Sequence, residues 1–178
     1  MKVALIGASG FVGKAVLNEL LQKGHQVTAI VRNVENLASK NGLNIVKADA
    51  TDIGVLTTLV KDSDAVISAF NAGWGNPGIY KDFLIGSKAI QEGVKRSGVK
   101  RFMVIGGAGS LFIDGKQLVD SPEFPAEYKD GAMAARDYLN YLKSKTELDW
   151  VFLSPAIEMH PGTSGIRKGS YRYRHSGI

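Results

Sequence analysis

Seven residues near the start of the chain, Gly7-Ala8-Ser9-Gly10-Phe11-Val12-Gly13, restrict the possible fold more than any other stretch. They join two dissimilar segments. Before them, Val3-Ala4-Leu5-Ile6 is an apolar run without charge, the pattern of a strand buried on both faces. After them, Val12, Val16 and Leu20 recur together with Leu17 and Leu21 at helical spacing. Strand, glycine turn, helix is the context that gives a glycine motif weight. Gly7 suits a sharp turn off the strand, Gly10 leaves backbone that an anion can approach, and Gly13 lets the helix lie close to the strand. The amides and the positive dipole end of the helix then face that anion. The spacing is G-x-x-G-x-x-G, one residue longer at the front than G-x-G-x-x-G. A ligand-free glycine turn is the plain alternative; the flanks favour a dinucleotide diphosphate held at Gly7, Ser9, Gly10, Phe11, Val12 and Gly13, with Phe11 packing against the turn.

The alternation continues. The first helix stops at Lys23-Gly24, and residues 26–31 form a second strand ending at Arg32. Asn33 is expected to cap a short helix through about Lys40. Residues 44–48 are a third strand, followed by a helix capped by Thr51 or Asp52 with Ile53, Leu56, Leu59 and Val60 inward. A fourth strand covers residues 64–70. The loop 71–78 is glycine-rich and carries Trp74. A long helix follows to about Ser97, with Phe83, Ile90 and Val94 on one side, and then a fifth strand at residues 101–105. A loop through Pro122 and Pro125 leads to a helix from about Ala126 to Thr146, with Tyr128, Ala132, Ala135, Leu139 and Leu142 as its inward stripe. Residues 150–153 are the sixth strand. Strands alternating with helices mean a parallel sheet covered on both faces with right-handed crossovers. With the glycine turn on the first unit, the expectation is a single-domain α/β Rossmann fold, doubly wound, in the order 3-2-1-4-5-6. Residues 1–155 would form the nucleotide-binding body and residues 156–178 a basic tail of the same domain.

Composition narrows the function classes. A chain of 178 residues with 44% hydrophobic and 22% charged residues suits one soluble globular domain. It has no cysteine, which excludes disulfides, thiol nucleophiles and thiolate metal sites. His25, His160 and His175 are isolated in sequence, so no metal site is expected. No membrane span and no signal peptide is legible, which reads as cytoplasmic. The net charge is +5, but four of the 22 basic residues (Arg167, Lys168, Arg172, Arg174) follow the last acidic one, and the rest nearly balance the 17 acidic ones. A short basic end without a nucleic-acid motif argues against nucleic acid as a partner.

Six segments, residues 3–13, 27–32, 47–52, 64–73, 101–111 and 149–155, together resemble an atypical short-chain dehydrogenase/reductase. The subgroup is the NAD(P)-dependent epimerase/dehydratase-like or NADH-flavin-reductase-like one, related to NmrA-like and biliverdin reductase B proteins. The resemblance implies an NAD(P)H-dependent oxidoreductase acting on a small-molecule acceptor. It places Asp49 with Ala50 at the adenine, and Ala69, Phe70 and Asn71 in the turn beneath the cofactor riboses. Where NAD enzymes carry an acidic residue after the second strand, this chain has Arg32, whose guanidinium suits a 2′-phosphate; NADP is therefore favoured, with NAD the alternative. Relatives continue past a segment like Gly169-Ser170-Tyr171-Arg172 with a further strand and helix, so this chain reads as a fragment, a natural truncation or a frame-shifted product.

Catalytic residues are less legible. Triad-bearing members of the superfamily use Ser, Tyr and Lys, the last two spaced Y-x-x-x-K, with the Lys lowering the pKa of the Tyr. Tyr141 and Lys145 match literally, but lie roughly 20 Å along the helix from its ligand end at 1.5 Å per residue. The family register falls on Tyr128 instead, which puts the Lys position at Ala132 and the Ser position near Gly107, with Ser110 a substitute. Ser110 and Tyr128 are thus the catalytic candidates. Phe70, Trp74, Tyr80, Phe112 and Tyr128 could wall a flat acceptor, and hydride transfer to a flavin or quinone needs alignment more than a proton donor. The alternatives are a cofactor-binding redox sensor of the NmrA-like kind and, with less support, a nucleotide-sugar epimerase or dehydratase. Oligomeric state is not legible.

Overall fold

The computed structural model describes residues 1–113, 115–157 and 159–163. The basic tail at Arg167, Lys168, Arg172 and Arg174, the Gly169-Ser170-Tyr171-Arg172 segment and His175 lie outside the described residues. Strand β1 (Lys2–Ile6) leads into helix α1 (Phe11–Gln22), then β2 (Gln26–Val31) and β3 (Leu43–Lys47). Helix α2 (Ile53–Val60), β4 (Ala65–Ser68), α3 (Ile79–Ser97) and β5 (Arg101–Ile105) follow. A small hairpin of β6 (Phe112–Ile113) and β7 (Lys116–Gln117) precedes α4 (Ala126–Leu142) and β8 (Asp149–Leu153).

Six strands form one parallel sheet in the order β3-β2-β1-β4-β5-β8, with β6 and β7 forming a separate antiparallel pair. With β8 as the sixth strand of the main sheet, this is the doubly wound 3-2-1-4-5-6 order expected above. Register is set at β1, where Val3 lies between Val27 and Ala65. Residues Val3 to Ile6 are all buried because both faces of β1 are covered. Leu5 packs with Leu17, Val27 and Ala29 under α1. Ala4 and Ile6 join Leu56, Phe83, Ile90, Val94, Phe102, Ala135 and Tyr138 beneath α2, α3 and α4.

Local chemistry sets the element ends. The Asp52 carboxylate accepts from Val55 N at 3.0 Å and caps α2, leaving Thr51 for another task. Helix α3 carries Asp82 in its first turn and Lys95 and Arg96 in its last, each complementing the helix dipole.

Three expectations need correction. Asn33 caps nothing through its side chain, and the segment after it is a single 3-10 turn, Val34–Asn36, rather than a helix reaching Lys40. The hairpin β6–β7 stands where an irregular loop was expected. On α4 the inward stripe is offset: Tyr138 is fully buried and its hydroxyl donates to Gln91 Oε1 at 3.1 Å, whereas Leu139 is only half-buried and Tyr128 is 50% exposed. Tyr128 occupies the first turn of α4, where its ring meets Trp74 instead of the sheet.

Candidate functional site

The loops at the carboxyl ends of β1, β4, β5 and β8 frame the site. Gly7 has φ +76°, a left-handed conformation that glycine adopts without strain, and its N–H donates to Ile30 O at 3.2 Å. A Cβ at Gly7 would come within 2.6 Å of Ala69 O, so the turn touches the end of β4. Gly13 is buried, and a Cβ there would stand 2.0 Å from Gly7 O. Helix α1 thus rests on the turn it leaves. Gly10 differs: its backbone is extended, and the nearest atom to a Cβ would be Gly7 O at 3.4 Å. A methyl at Gly10 would fill space in front of the helix rather than clash with the protein. No side chain caps α1 and no acidic residue lies in its first turn. An open cradle at the positive end of a helix, without a competing carboxylate, fits a diphosphate. Ser9 and Val12 are half-buried and Phe11 is 41% exposed, so Phe11 lines the mouth of the turn more than it packs beneath it.

The ends of β2 and β3 carry the next pair. Arg32 is exposed directly after β2. Asp49 accepts from Thr51 N at 2.9 Å and from Thr51 Oγ1 at 2.7 Å. These two bonds hold its carboxyl below the usual carboxylate range; partial burial opposes them and the Arg32 charge adds to them. Asp49 is therefore a fixed, ionised acceptor beside Arg32, and Ala50 behind it is buried. The part of Thr51 in setting Asp49 is invisible in sequence, where Thr51 reads only as a possible cap.

At the end of β4, Ala69 N donates to Ile6 O at 3.0 Å, tying this turn to β1. Phe70 stacks on Phe83, with ring centroids 6.0 Å apart, and joins the floor of the site. Asn71 Oδ1 accepts from Gly73 N at 2.7 Å.

The catalytic candidates lie at β5, β8 and α4. Ser110 is buried; its hydroxyl donates to Gly107 O at 2.8 Å and lies 2.7 Å from Ser154 Oγ. The single Ser110 proton is committed to Gly107, so Ser154 donates to Ser110. This pair pins the loop after β5 to the exit of β8. Ala132, at the expected Lys position, is buried, and a Cβ at Gly109 would lie 2.9 Å from the Ala132 Cβ. The contact leaves no room there for a long cation to tune Tyr128. Tyr141 stacks on Tyr138 near the far end of α4, and the amines of Lys88 and Lys145 lie 4.6 and 4.5 Å from its ring centroid. The literal Y-x-x-x-K match is a cation–π contact away from the glycine turn.

Of the aromatic wall candidates, Tyr80 donates its hydroxyl to Asp137 Oδ2 at 2.7 Å and ties α3 to α4. Trp74 and Tyr128 form an exposed edge-to-face pair, and Phe112 is exposed on the hairpin. Among the described residues, no group of three His, Asp or Glu side chains could hold a metal ion, and no helix is long and apolar enough to cross a membrane.

A family model described as NAD(P)H-binding matches residues 7–175. The chain belongs to this NAD(P)H-binding family. The protein YwnB of Bacillus subtilis is 37% identical over 175 residues, covering 97% of this chain and 78% of that one. A Bacteroides thetaiotaomicron structure provisionally assigned as an epimerase is 46% identical, with TM-score 0.86 over 96% of this chain and 76% of that one. A Streptococcus pneumoniae structure provisionally assigned as an NADH-flavin reductase is 37% identical, with TM-score 0.77 over 95% of this chain and 77% of that one. The cofactor of this NAD(P)H-binding protein is thus a nicotinamide dinucleotide.

Proposed function

We propose that the protein is an NADPH-dependent reductase whose acceptor is a flavin, a quinone or a similar planar molecule. The bound nicotinamide supplies the hydride. The amides of the glycine turn and α1 would hold the diphosphate, Arg32 the 2′-phosphate, Asp49 with Ala50 the adenine, and Ala69, Phe70 and Asn71 the riboses. The observation that carries the reading is the buried Ala132 against Gly109, where carbonyl-reducing and epimerising relatives of the triad type need a cation. Ser110 directs its proton inward to Gly107, so it is no outward donor. Chemistry that asks the protein for stacking and alignment, rather than for a tuned acid, fits this arrangement. The resemblance to a provisionally assigned NADH-flavin reductase supports the same reading.

The test is to mix the protein with NADPH and FMN, or with a naphthoquinone, and follow absorbance at the nicotinamide band. Oxidation well above the rate without protein is expected. Tight NADPH binding without oxidation over a panel of acceptors would contradict the reading and leave the redox-sensor role in its place.

A further inference from the structure

Two exposed aromatic rings are held against each other at the end of the sheet where the loop after β4 meets the start of α4. Trp74 is 58% exposed and Tyr128 is 50% exposed, yet their centroids are 5.5 Å apart with planes at 88°. They come from different elements: Trp74 from the loop after β4, Tyr128 from the first turn of α4.

The seat of the indole is Gly131. This residue is buried one turn after Tyr128, and a Cβ there would lie 2.7 Å from Trp74 Cζ3 and 3.0 Å from Ile79 Cδ1. Bare helix backbone is what lets the Cζ3 and Cη2 atoms of the indole approach α4 this closely. The loop that carries it is braced from within. Asn71 Oδ1 accepts from Gly73 N, Asn76 N donates to Gly73 O at 3.0 Å, and Asn76 Oδ1 accepts from Gly78 N at 2.8 Å. Asn76 Nδ2 donates to Asp82 Oδ2 at 2.9 Å, anchoring the loop to α3. A loop braced this way holds a large apolar surface in water in one orientation, an arrangement that folding alone does not reward.

Position completes the case. The loop begins at Ala69 and Phe70, the residues against which the Gly7 turn rests. Trp74 thus lies on the loop at the carboxyl end of β4, the strand that pairs with β1 where the strand order reverses and where a doubly wound sheet takes its ligand. Two rings at a right angle make a corner. A flat molecule lying on one ring meets the other as a stop.

We infer that the Trp74–Tyr128 corner is the acceptor-binding wall and selects fused planar rings, with Trp74 the specificity-determining residue. This rests on the reductase reading, which it deepens by naming where and how the acceptor is held.

The test uses both tryptophans of the chain, Trp74 and Trp150. Trp150 is half-buried with its indole N–H on Lys145 O, so it serves as an internal control. Tryptophan emission of the wild type is titrated with FMN and with 1,4-naphthoquinone in the presence of NADP+, which permits no turnover. The same titration is run on Trp74→Phe, where only Trp150 emits. Saturable quenching in the wild type that disappears in Trp74→Phe is expected. In turnover with NADPH, Trp74→Ala should raise the acceptor KM about ten-fold or more, the usual scale for losing a stacking ring. Trp74→Phe, which keeps a ring, should restore most of that loss, and the calorimetric affinity for NADPH should not move in either variant. Turnover with an unchanged acceptor KM in Trp74→Ala would overturn the inference while the reductase reading stands. Quenching through Trp74 without turnover would keep the corner as a binding wall and remove the reductase reading. Equal quenching in wild type and Trp74→Phe would overturn the corner outright.

Discussion

Substituting Gly13 and Gly10 separately by alanine distinguishes the two tasks of the glycine turn. At Gly13 a methyl would stand 2.0 Å from Gly7 O, whereas ordinary contact begins near 3.4 Å, so α1 would have to retreat by roughly 1.4 Å. The opposing atom is backbone, and no side chain can swing aside. Overpacking of this kind costs about 1–3 kcal/mol. The better helix propensity of alanine returns about 1 kcal/mol. Against fixed backbone at 2.0 Å the upper end of that cost applies, so a net loss of about 2 kcal/mol follows, which for a chain of this size lowers Tm by roughly 4–8 °C. NADPH affinity should fall with it, because the amides move with the helix. At Gly10 the same methyl finds Gly7 O at 3.4 Å and an extended backbone that alanine adopts freely. Stability should change by no more than about 1 kcal/mol, the scale of an N-cap change. Affinity should nevertheless drop at least ten-fold, because the methyl projects into the diphosphate position. Thermal melts and calorimetric titration read the two effects independently. A Gly10→Ala protein that binds NADPH as the wild type does would refute the placement of the diphosphate. A Gly13→Ala protein as stable as wild type would refute the close approach of α1.

Further outcomes follow from the same geometry. Arg32→Glu should weaken NADPH binding ten-fold or more while leaving NADH nearly unaffected, because it removes a phosphate partner and adds a like charge; equal loss for both cofactors in calorimetry would contradict the role of Arg32. The Asp49 carboxyl is held below its ordinary value by Thr51, so its contribution to stability is present above about pH 4 and lost as pH falls through the lowered folded-state value. Asp49→Asn should therefore flatten the acid limb of Tm against pH relative to wild type, and coincident limbs would contradict the Thr51 bonds. Tyr138→Phe leaves Gln91 Oε1 buried without its donor and should cost about 1–3 kcal/mol in a denaturant melt, with no change in NADPH affinity.

Much of the fold was legible because its signals are local. The apolar run at Val3–Ile6, the three glycines and the helical spacing of Phe83, Ile90 and Val94 each specify an element without help from the rest of the chain. The bounds of α3, from Ile79 to Ser97, follow from Gly78 before it and Gly98 after it. Elsewhere tertiary contacts decided. Two-residue strands such as Phe112–Ile113 and Lys116–Gln117 have no measurable period, so the hairpin was hidden. Tyr138 and Leu139 differ by one helical step, and the Gln91 amide is what makes the tyrosine the better inward residue. The backbone of the turn after β1 could be read because glycine spacing encodes backbone geometry. The aromatic residues could not be told apart, since Trp74, Tyr80 and Phe70 look alike in sequence. Only Gly131 beneath the indole, Asp137 at the Tyr80 hydroxyl and Phe83 against Phe70 assign them different work.

The account depends on a diphosphate lying against the exposed amides at the tip of α1. Calorimetric titration of the folded, monodisperse protein with NADPH and NADH measures this directly. A saturable heat at one site per chain, tighter for NADPH than for NADH, is the result expected; no heat from either cofactor at millimolar concentration would contradict it.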